Sequence, residues 1–158
     1  MAISHVQPLL LFVSLFFLPA ALGTAIEFSN CHRPLFTGVV NITKVEIIPY
    51  PIKYNDNPIF KITGVTSKSI ASATTVSASM VLEGESELLQ SSRRGYELCD
   101  CTNHCPVAPG GFELVFPHPY WRYKIKPGRY RVHVRMINQK NVFQESMNFF
   151  FWFSVNEA

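Results

Sequence analysis

The chain has 158 residues, of which 47% are hydrophobic and 13% aromatic, and its formal net charge at pH 7 is +3. This length fits one domain with a substantial core, and the mild charge argues against nucleic acid as a partner. Thirteen Phe, six Tyr and two Trp indicate a large apolar interior.

Residues 1–23 have the pattern of a secretory signal peptide. An apolar run over residues 9–18 precedes Ala21 and Gly23, which provide the small side chains of a cleavage site. A membrane anchor is the competing interpretation, but it needs about 20 apolar residues and this run is shorter. We therefore expect cleavage after Gly23, leaving residues 24–158 as a single domain that is secreted or retained in an endomembrane lumen such as the vacuole or the ER.

Beyond the leader, turn signals separate short stretches rich in β-branched and aromatic residues. No long segment has the periodicity of an amphipathic helix, so the sequence predicts an all-β chain. The expected strands cover residues 26–29, 38–48, 58–65, 74–83, 85–97, 111–116, 128–138 and 142–155.

Alternation marks several of these strands as buried on one face. In residues 129–136, apolar side chains alternate strictly with charged or imidazole groups, and residues 60–63 and 75–82 repeat the pattern. Strands with one buried face and no helices to cover it must pack sheet against sheet. The expected architecture is therefore a sandwich or a barrel.

The last predicted strand is apolar on both faces. One face carries Met147, Phe149, Phe151, Phe153 and Val155, and the other carries Phe150 and Trp152. Two such faces cannot both be ordinary water-facing surface. Either the strand is covered on both sides, or its large aromatic side chains are exposed at a contact site.

Three of the four cysteines lie within residues 99–105, and the fourth is Cys31. Their C-x-C-x3-C spacing is poor for a zinc site, and an oxidising compartment favours disulfides, so we expect no metal site. A bridge from Cys99 to Cys105 would close a short loop and stabilise the fold by about 2 kcal/mol.

No catalytic constellation is apparent, and we expect neither enzymatic activity nor a cofactor. The chain lacks a G-x-S-x-G elbow, and Glu83, Glu85 and Glu87 are more typical of a solvated hairpin than of an acid–base pair. We expect His118 and His133 to lie at the surface. Asn41 begins an N-I-T sequon, which predicts glycosylation if it faces water; an ordinary strand residue is the alternative.

Several motifs occur in an order that resembles one known family. They are the leader, Cys31, VEIIPYP at 45–51, LC at 98–99, CPV at 105–107, KPGRY at 126–130 and FWFSV at 151–155. With these motifs the chain resembles the MD-2-related lipid-recognition (ML) family, which includes NPC2-type sterol carriers, and above all its plant branch of phospholipid or sterol transfer proteins. The resemblance implies an immunoglobulin-like β-sandwich whose two antiparallel sheets hold a lipid in an apolar slot between them.

Alternation, rather than a family residue list, predicts which side chains line this slot. They are Phe60, Ile62, Val76, Met80, Leu82, Tyr130, Val132, Val134, Phe149, Phe151 and Phe153. At the mouth we place Tyr120, Trp121 and Tyr123, for which a packed loop is the alternative. Cations near them would meet an anionic head group, unless they are simply a solvated face. These cations are Arg122, Lys124, Lys126 and Arg129.

The cysteines depart from the family pattern. ML proteins commonly tie an N-terminal cysteine, matched here by Cys31, to a cysteine in the last strand, where this chain has Asn148. Cys101 is an extra thiol. Either Cys31 pairs with Cys101 or both remain thiols, and Cys99 and Cys105 match the small loop bridge of the family.

The expected function is binding and transfer of a lipid, either a sterol or a phospholipid. An apolar slot gains on the order of 0.8 kcal/mol for each methylene that it buries, so few polar groups are needed. One alternative is a lipid-dependent recognition module that acts on a protein partner in signalling or defence, and another is a hydrolase on a sandwich scaffold. We expect a monomer that contacts membranes transiently and does not bind nucleic acid.

Overall fold

The structure is a computed structural model, and it describes residues 23–31, 39–85, 92–119, 125–139 and 141–157. Within these residues the chain forms ten strands and one helical turn, which confirms the all-β prediction. The strands are β1 Thr24–Ala25, β2 Phe28–Asn30, β3 Val40–Ile48, β4 Ile52–Lys53, β5 Ile59–Thr66, β6 Thr74–Leu82, β7 Ser92–Glu97, β8 Gly110–Pro117, β9 Gly128–Asn138 and β10 Asn141–Asn156; the helix is α1 Leu98–Cys101.

The strands form two sheets that pack face to face. In the first sheet the order is β1-β3-β5-β8, and in the second it is β2-β10-β9-β6-β7, with β4 added parallel to β10. Every other pairing is antiparallel. The architecture is the predicted immunoglobulin-like β-sandwich.

The sandwich follows directly from the alternation in the sequence. On β9 the buried positions are Tyr130, Val132, Val134 and Met136, and the residues between them are partly exposed. β10 places Phe149 opposite Val134 and Phe151 opposite Val132. Cross-strand neighbours on one face of a sheet reinforce one another, so the two longest strands present one continuous apolar surface to the first sheet.

The shortest elements were not predicted, because two or three residues cannot show a periodicity. The expected strand at 26–29 overlaps only β2, which pairs with β10; residues 26–27 join β2 to β1, which precedes the expected strand and pairs with β3. The N-terminal segment therefore crosses from one sheet to the other at their shared edge. Of the expected strand at 85–97, the structure describes β7 from Ser92 onward, and residues 86–91 lie outside the described residues. The preceding strand β6 ends at Leu82, and Gly84 adopts a φ of 87°.

The predicted signal peptide lies almost wholly outside the described residues, so cleavage after Gly23 stays a prediction. Among the described residues, no helix is both long and apolar enough to cross a membrane.

Candidate functional site

The side chains predicted to line the slot come together in one hydrophobic cluster between the sheets. Two of them, Phe60 and Ile62, project from β5 in the first sheet, and the other nine project from β6, β9 and β10 in the second. Ten are buried, and Leu82 is half-buried at the end of β6.

Aromatic rings make the contact between the two sheets. The Phe60 ring meets that of Phe151 edge-on, with 5.3 Å between ring centroids, and its centroid lies 5.8 Å from that of Phe153. Tyr130 stacks on Phe153 at 5.4 Å. Side chains fill the interior at this level, so a guest molecule would have to replace ring contacts rather than backbone hydrogen bonds.

One end of the cluster, which we call the aromatic end, contains Tyr96, Phe116 and His118. The ring of Phe116 lies 5.9 Å from Phe60 and 5.1 Å from Tyr96, centroid to centroid. The Tyr96 hydroxyl donates a hydrogen bond to the carbonyl oxygen of Pro117 at 2.6 Å. Burial raises the pKa of Tyr96 to about 12, so this hydroxyl keeps its proton.

His118 lies immediately after β8 and is only 1% exposed, so its predicted surface position is wrong. The signal was present in the sequence, because His118 continues the buried phase of Phe112, Leu114 and Phe116. Its backbone N–H donates to the carbonyl of Pro58 at 3.2 Å. Burial lowers the pKa of His118 to about 4, which leaves the imidazole neutral at pH 7.

The outer face of β10 carries Phe150 and Trp152, for which the sequence predicted either a cover or exposure at a contact site. Phe150 and Trp152 are half-buried there. The guanidinium groups of Arg129 and Arg131 lie over the Trp152 ring, at 4.6 and 5.8 Å from its centroid. Arg129 also pairs with Glu83 at 3.2 Å. Arginine side chains from β9, rather than another sheet, thus cover part of this face.

A groove of about 750 Å³ runs beside this outer face. Its walls come from the segment that joins β1 to β2 and from Tyr50, and its floor includes Phe150 and Trp152. The lining also includes Phe153, which is one of the predicted slot residues, so the groove borders the interior at the edge where the chain passes from β1 to β2.

The disulfide prediction is confirmed for Cys99 and Cys105, whose sulfur atoms are bonded at 2.05 Å. Of the two alternatives for Cys31 and Cys101, the structure has the second, in which both residues carry thiols. Cys31 follows β2 and Cys101 follows β7, at opposite edges of the second sheet. Four strand spacings amount to about 19 Å, well beyond the reach of a disulfide.

Cys31 lies beside Asn148, the residue at the position where the family pattern has the partner cysteine. Its N–H donates to the carbonyl of Asn148 at 3.0 Å. The Asn148 side chain is 2% exposed, and its Oδ1 lies 2.6 Å from Nε2 of His133. The Cys31 sulfur lies 3.9 Å from the same nitrogen. A hydrogen-bonded histidine and asparagine thus occupy the site of the missing bridge.

Other predicted residues have less definite outcomes. The mouth residues Tyr120, Trp121 and Tyr123 lie outside the described residues, together with Arg122 and Lys124. Their role at a mouth stays a prediction.

Two predicted residues are accessible at the surface. Asn41 is exposed on β3, so glycosylation there stays an open prediction. Lys126 is also exposed, and its carbonyl accepts a hydrogen bond from the Tyr130 hydroxyl at 3.0 Å. Within the described part of the chain, no three His, Cys, Asp or Glu side chains gather as metal ligands.

The family follows from comparison with known proteins. The ML domain family matches residues 25–144. The chain belongs to the ML family. It is similar to MD-2-related lipid-recognition protein ROSY1 of Arabidopsis thaliana, at 42% identity over 75% of this chain and 69% of the relative. It is also similar to MD-2-related lipid-recognition protein 3 of the same plant, at 39% identity over 73% of this chain and 70% of the relative. Membership of ML, a lipid-recognition family, supports lipid binding.

Proposed function

We propose that this ML protein holds one sterol or phospholipid molecule between its sheets and transfers it between membranes in a secreted or lumenal compartment, without chemistry of its own. The observation that carries the proposal is the aromatic cluster shared by the two sheets. Its eleven predicted lining residues all belong to or pack against one hydrophobic cluster. Such an interior matches the surface of an acyl chain or a sterol.

The same cluster explains how the closed interior could open. Backbone hydrogen bonds run within each sheet, so the sheets can separate without breaking them. Moving Phe60 away from Phe151 and Phe153 exchanges ring–ring contacts for ring–lipid contacts. Because each buried methylene gains about 0.8 kcal/mol, a long acyl chain outweighs a few lost aromatic contacts of about 1 kcal/mol each.

Native mass spectrometry of the purified mature protein tests this proposal, with organic extraction of a parallel sample. We expect a co-purified lipid mass that extraction removes, and we expect the extracted protein to bind fluorescent sterol or phospholipid. Transfer between donor and acceptor vesicles should then depend on the protein. Absence of bound lipid, together with failure to bind both probes, would contradict the proposal.

The second candidate is a lipid-dependent recognition module, and the outer face of β10 favours it. The arginine-covered Trp152 and the adjoining groove form a mixed aromatic and cationic surface, which is common where proteins meet. In that case Trp152→Ala should abolish capture of a protein partner and leave lipid binding intact. Loss of both activities, or of neither, would argue against a separate recognition surface.

A further inference from the structure

The His118 side chain carries a buried ring nitrogen, Nδ1. Among the residues that the structure describes, its Nδ1 is a fully buried side-chain nitrogen with no partner. Buried polar atoms in proteins are nearly always hydrogen-bonded, so the unpaired Nδ1 needs an explanation, and the polar group of a bound ligand is one. The position is in phase with the inward-facing residues of β8, which places the ring on the side of the second sheet.

The surroundings of His118 combine apolar walls with polar groups that are already occupied. Phe116 and Tyr96 provide rings at this end of the cluster. The Tyr96 hydroxyl donates a hydrogen bond to the carbonyl of Pro117, and the backbone N–H of His118 donates one to the carbonyl of Pro58. A molecule that filled the aromatic end would therefore find the imidazole nitrogen still available.

We propose that Nδ1 of His118 forms a hydrogen bond with the polar end of the bound lipid, and that this polar end is an uncharged hydroxyl. The inference rests on the proposed function and deepens it by naming the chemical class of the buried head group. It assigns His118 as the residue that sets the orientation of the lipid, with its polar end at the aromatic end of the interior.

A hydroxyl fits this site better than an acid. The neutral imidazole has one donor and one acceptor nitrogen, and a hydroxyl can pair with either because it both donates and accepts. A carboxylate or phosphate would carry a negative charge into a buried site, where it needs a cation. Arg94, whose guanidinium lies over the Tyr96 ring at 5.0 Å, is a described cation at this end with which such a head group would pair.

Two substitutions at position 118 separate hydrogen bonding from packing. His118→Leu fills a similar volume without a polar atom, whereas His118→Asn keeps a polar atom close to the place of Nδ1. The probes are 1-dodecanol, dodecane and laurate, delivered from cyclodextrin to the mature chain at pH 7. The readout is displacement of the fluorescent probe N-phenyl-1-naphthylamine.

We expect the unsubstituted protein to bind dodecanol about tenfold more tightly than dodecane, which corresponds to about 1.4 kcal/mol. His118→Leu should remove this preference and leave dodecane binding unchanged, and His118→Asn should retain part of it. As a check that needs no variant, the ring nitrogen NMR signals of His118 should shift with dodecanol and stay in place with dodecane.

The contradicting outcomes are distinct. Equal binding of dodecanol and dodecane, or equal loss of both in His118→Leu, overturns the role of His118 while lipid binding stands. Tighter binding of laurate that is lost in Arg94→Gln overturns it in favour of an acidic head group. Failure of all three probes, together with failure of fluorescent sterol and phospholipid, overturns the proposed function itself.

Discussion

Large aromatic side chains lie on both faces of β10, but they are buried to different extents. On the inner face, Phe149, Phe151 and Phe153 are almost fully buried against the other sheet. On the outer face, Phe150 and Trp152 stay half-buried, and Arg129 and Arg131 cover the indole. Aromatic content alone therefore does not mark a lipid site; what distinguishes the inner face is the second apolar surface that packs against it.

The largest expected effect comes from removing a ring on the inner face. Phe151→Ala should lower the free energy of unfolding by about 3 to 5 kcal/mol, because it deletes a buried ring that contacts Phe60 and leaves a cavity. Urea denaturation measures this difference. A loss below about 1 kcal/mol would mean that the two sheets do not depend on this contact.

The next effect restores a covalent link on the outer side of the sheet. Asn148→Cys should form a disulfide with Cys31. Asn148 lies on β10, Cys31 directly follows β2, and the backbone N–H of Cys31 donates to the carbonyl of Asn148. Closing a loop of over 100 residues contributes about 4 to 5 kcal/mol in the chain-entropy estimate, and losing the bond to His133 offsets about 1 to 2. We expect a net gain of about 3 kcal/mol.

A non-reducing peptide map and denaturation with and without reductant check this gain. The control is Asn148→Ser, which removes the amide without adding a thiol and should only destabilise the protein. A thiol at position 148 that stays reduced under oxidising conditions would contradict the observed register.

A smaller effect is the pH dependence of the free energy of unfolding that the buried His118 causes. The pKa of His118 in the folded chain is lowered to about 4. Below about pH 6.5, the His118 imidazole is therefore protonated in the unfolded chain but stays neutral in the folded chain until the pH nears 4. Stability should therefore be full above pH 6.5 and fall by roughly 2 to 3 kcal/mol as the pH drops towards 4.

The His118→Asn variant should lose this part of the pH dependence, whereas replacement of the exposed His104 by Asn should keep it. Denaturation midpoints between pH 4 and pH 7 measure the difference. Identical pH profiles for the unsubstituted protein and His118→Asn would show that the ring is not buried.

The smallest effect belongs to the outer face. Trp152→Ala should cost only about 1 kcal/mol of stability, since a half-buried ring under arginine side chains contributes little more than its cation–π contacts. Lipid binding should be unchanged. A loss as large as that of Phe151→Ala, measured by the same denaturation, would erase the distinction between the two faces.

Long periodic strands made most of the fold predictable from sequence. The alternation of β9 identified its buried residues, and the aromatic positions of β10 fell on the expected face. Features that depend on neighbours distant in sequence were missed: the crossing from β1 to β2, the arginine cover on Trp152 and the hydrogen bond between His133 and Asn148. His118 was missed for a different reason, because a histidine between two prolines suggests a loop and hides the continued alternation.

Tryptophan quenching by a lipid with a brominated acyl chain tests the central claim most directly. One protein carries Trp121→Phe alone and reports from Trp152 on the outer face; the other carries Trp121→Phe, Trp152→Phe and Phe151→Trp and reports from the inner face. If the lipid lies between the sheets, the inner reporter should be strongly quenched and the outer reporter scarcely at all. Stronger quenching of Trp152 would place the lipid in the outer groove and contradict the account.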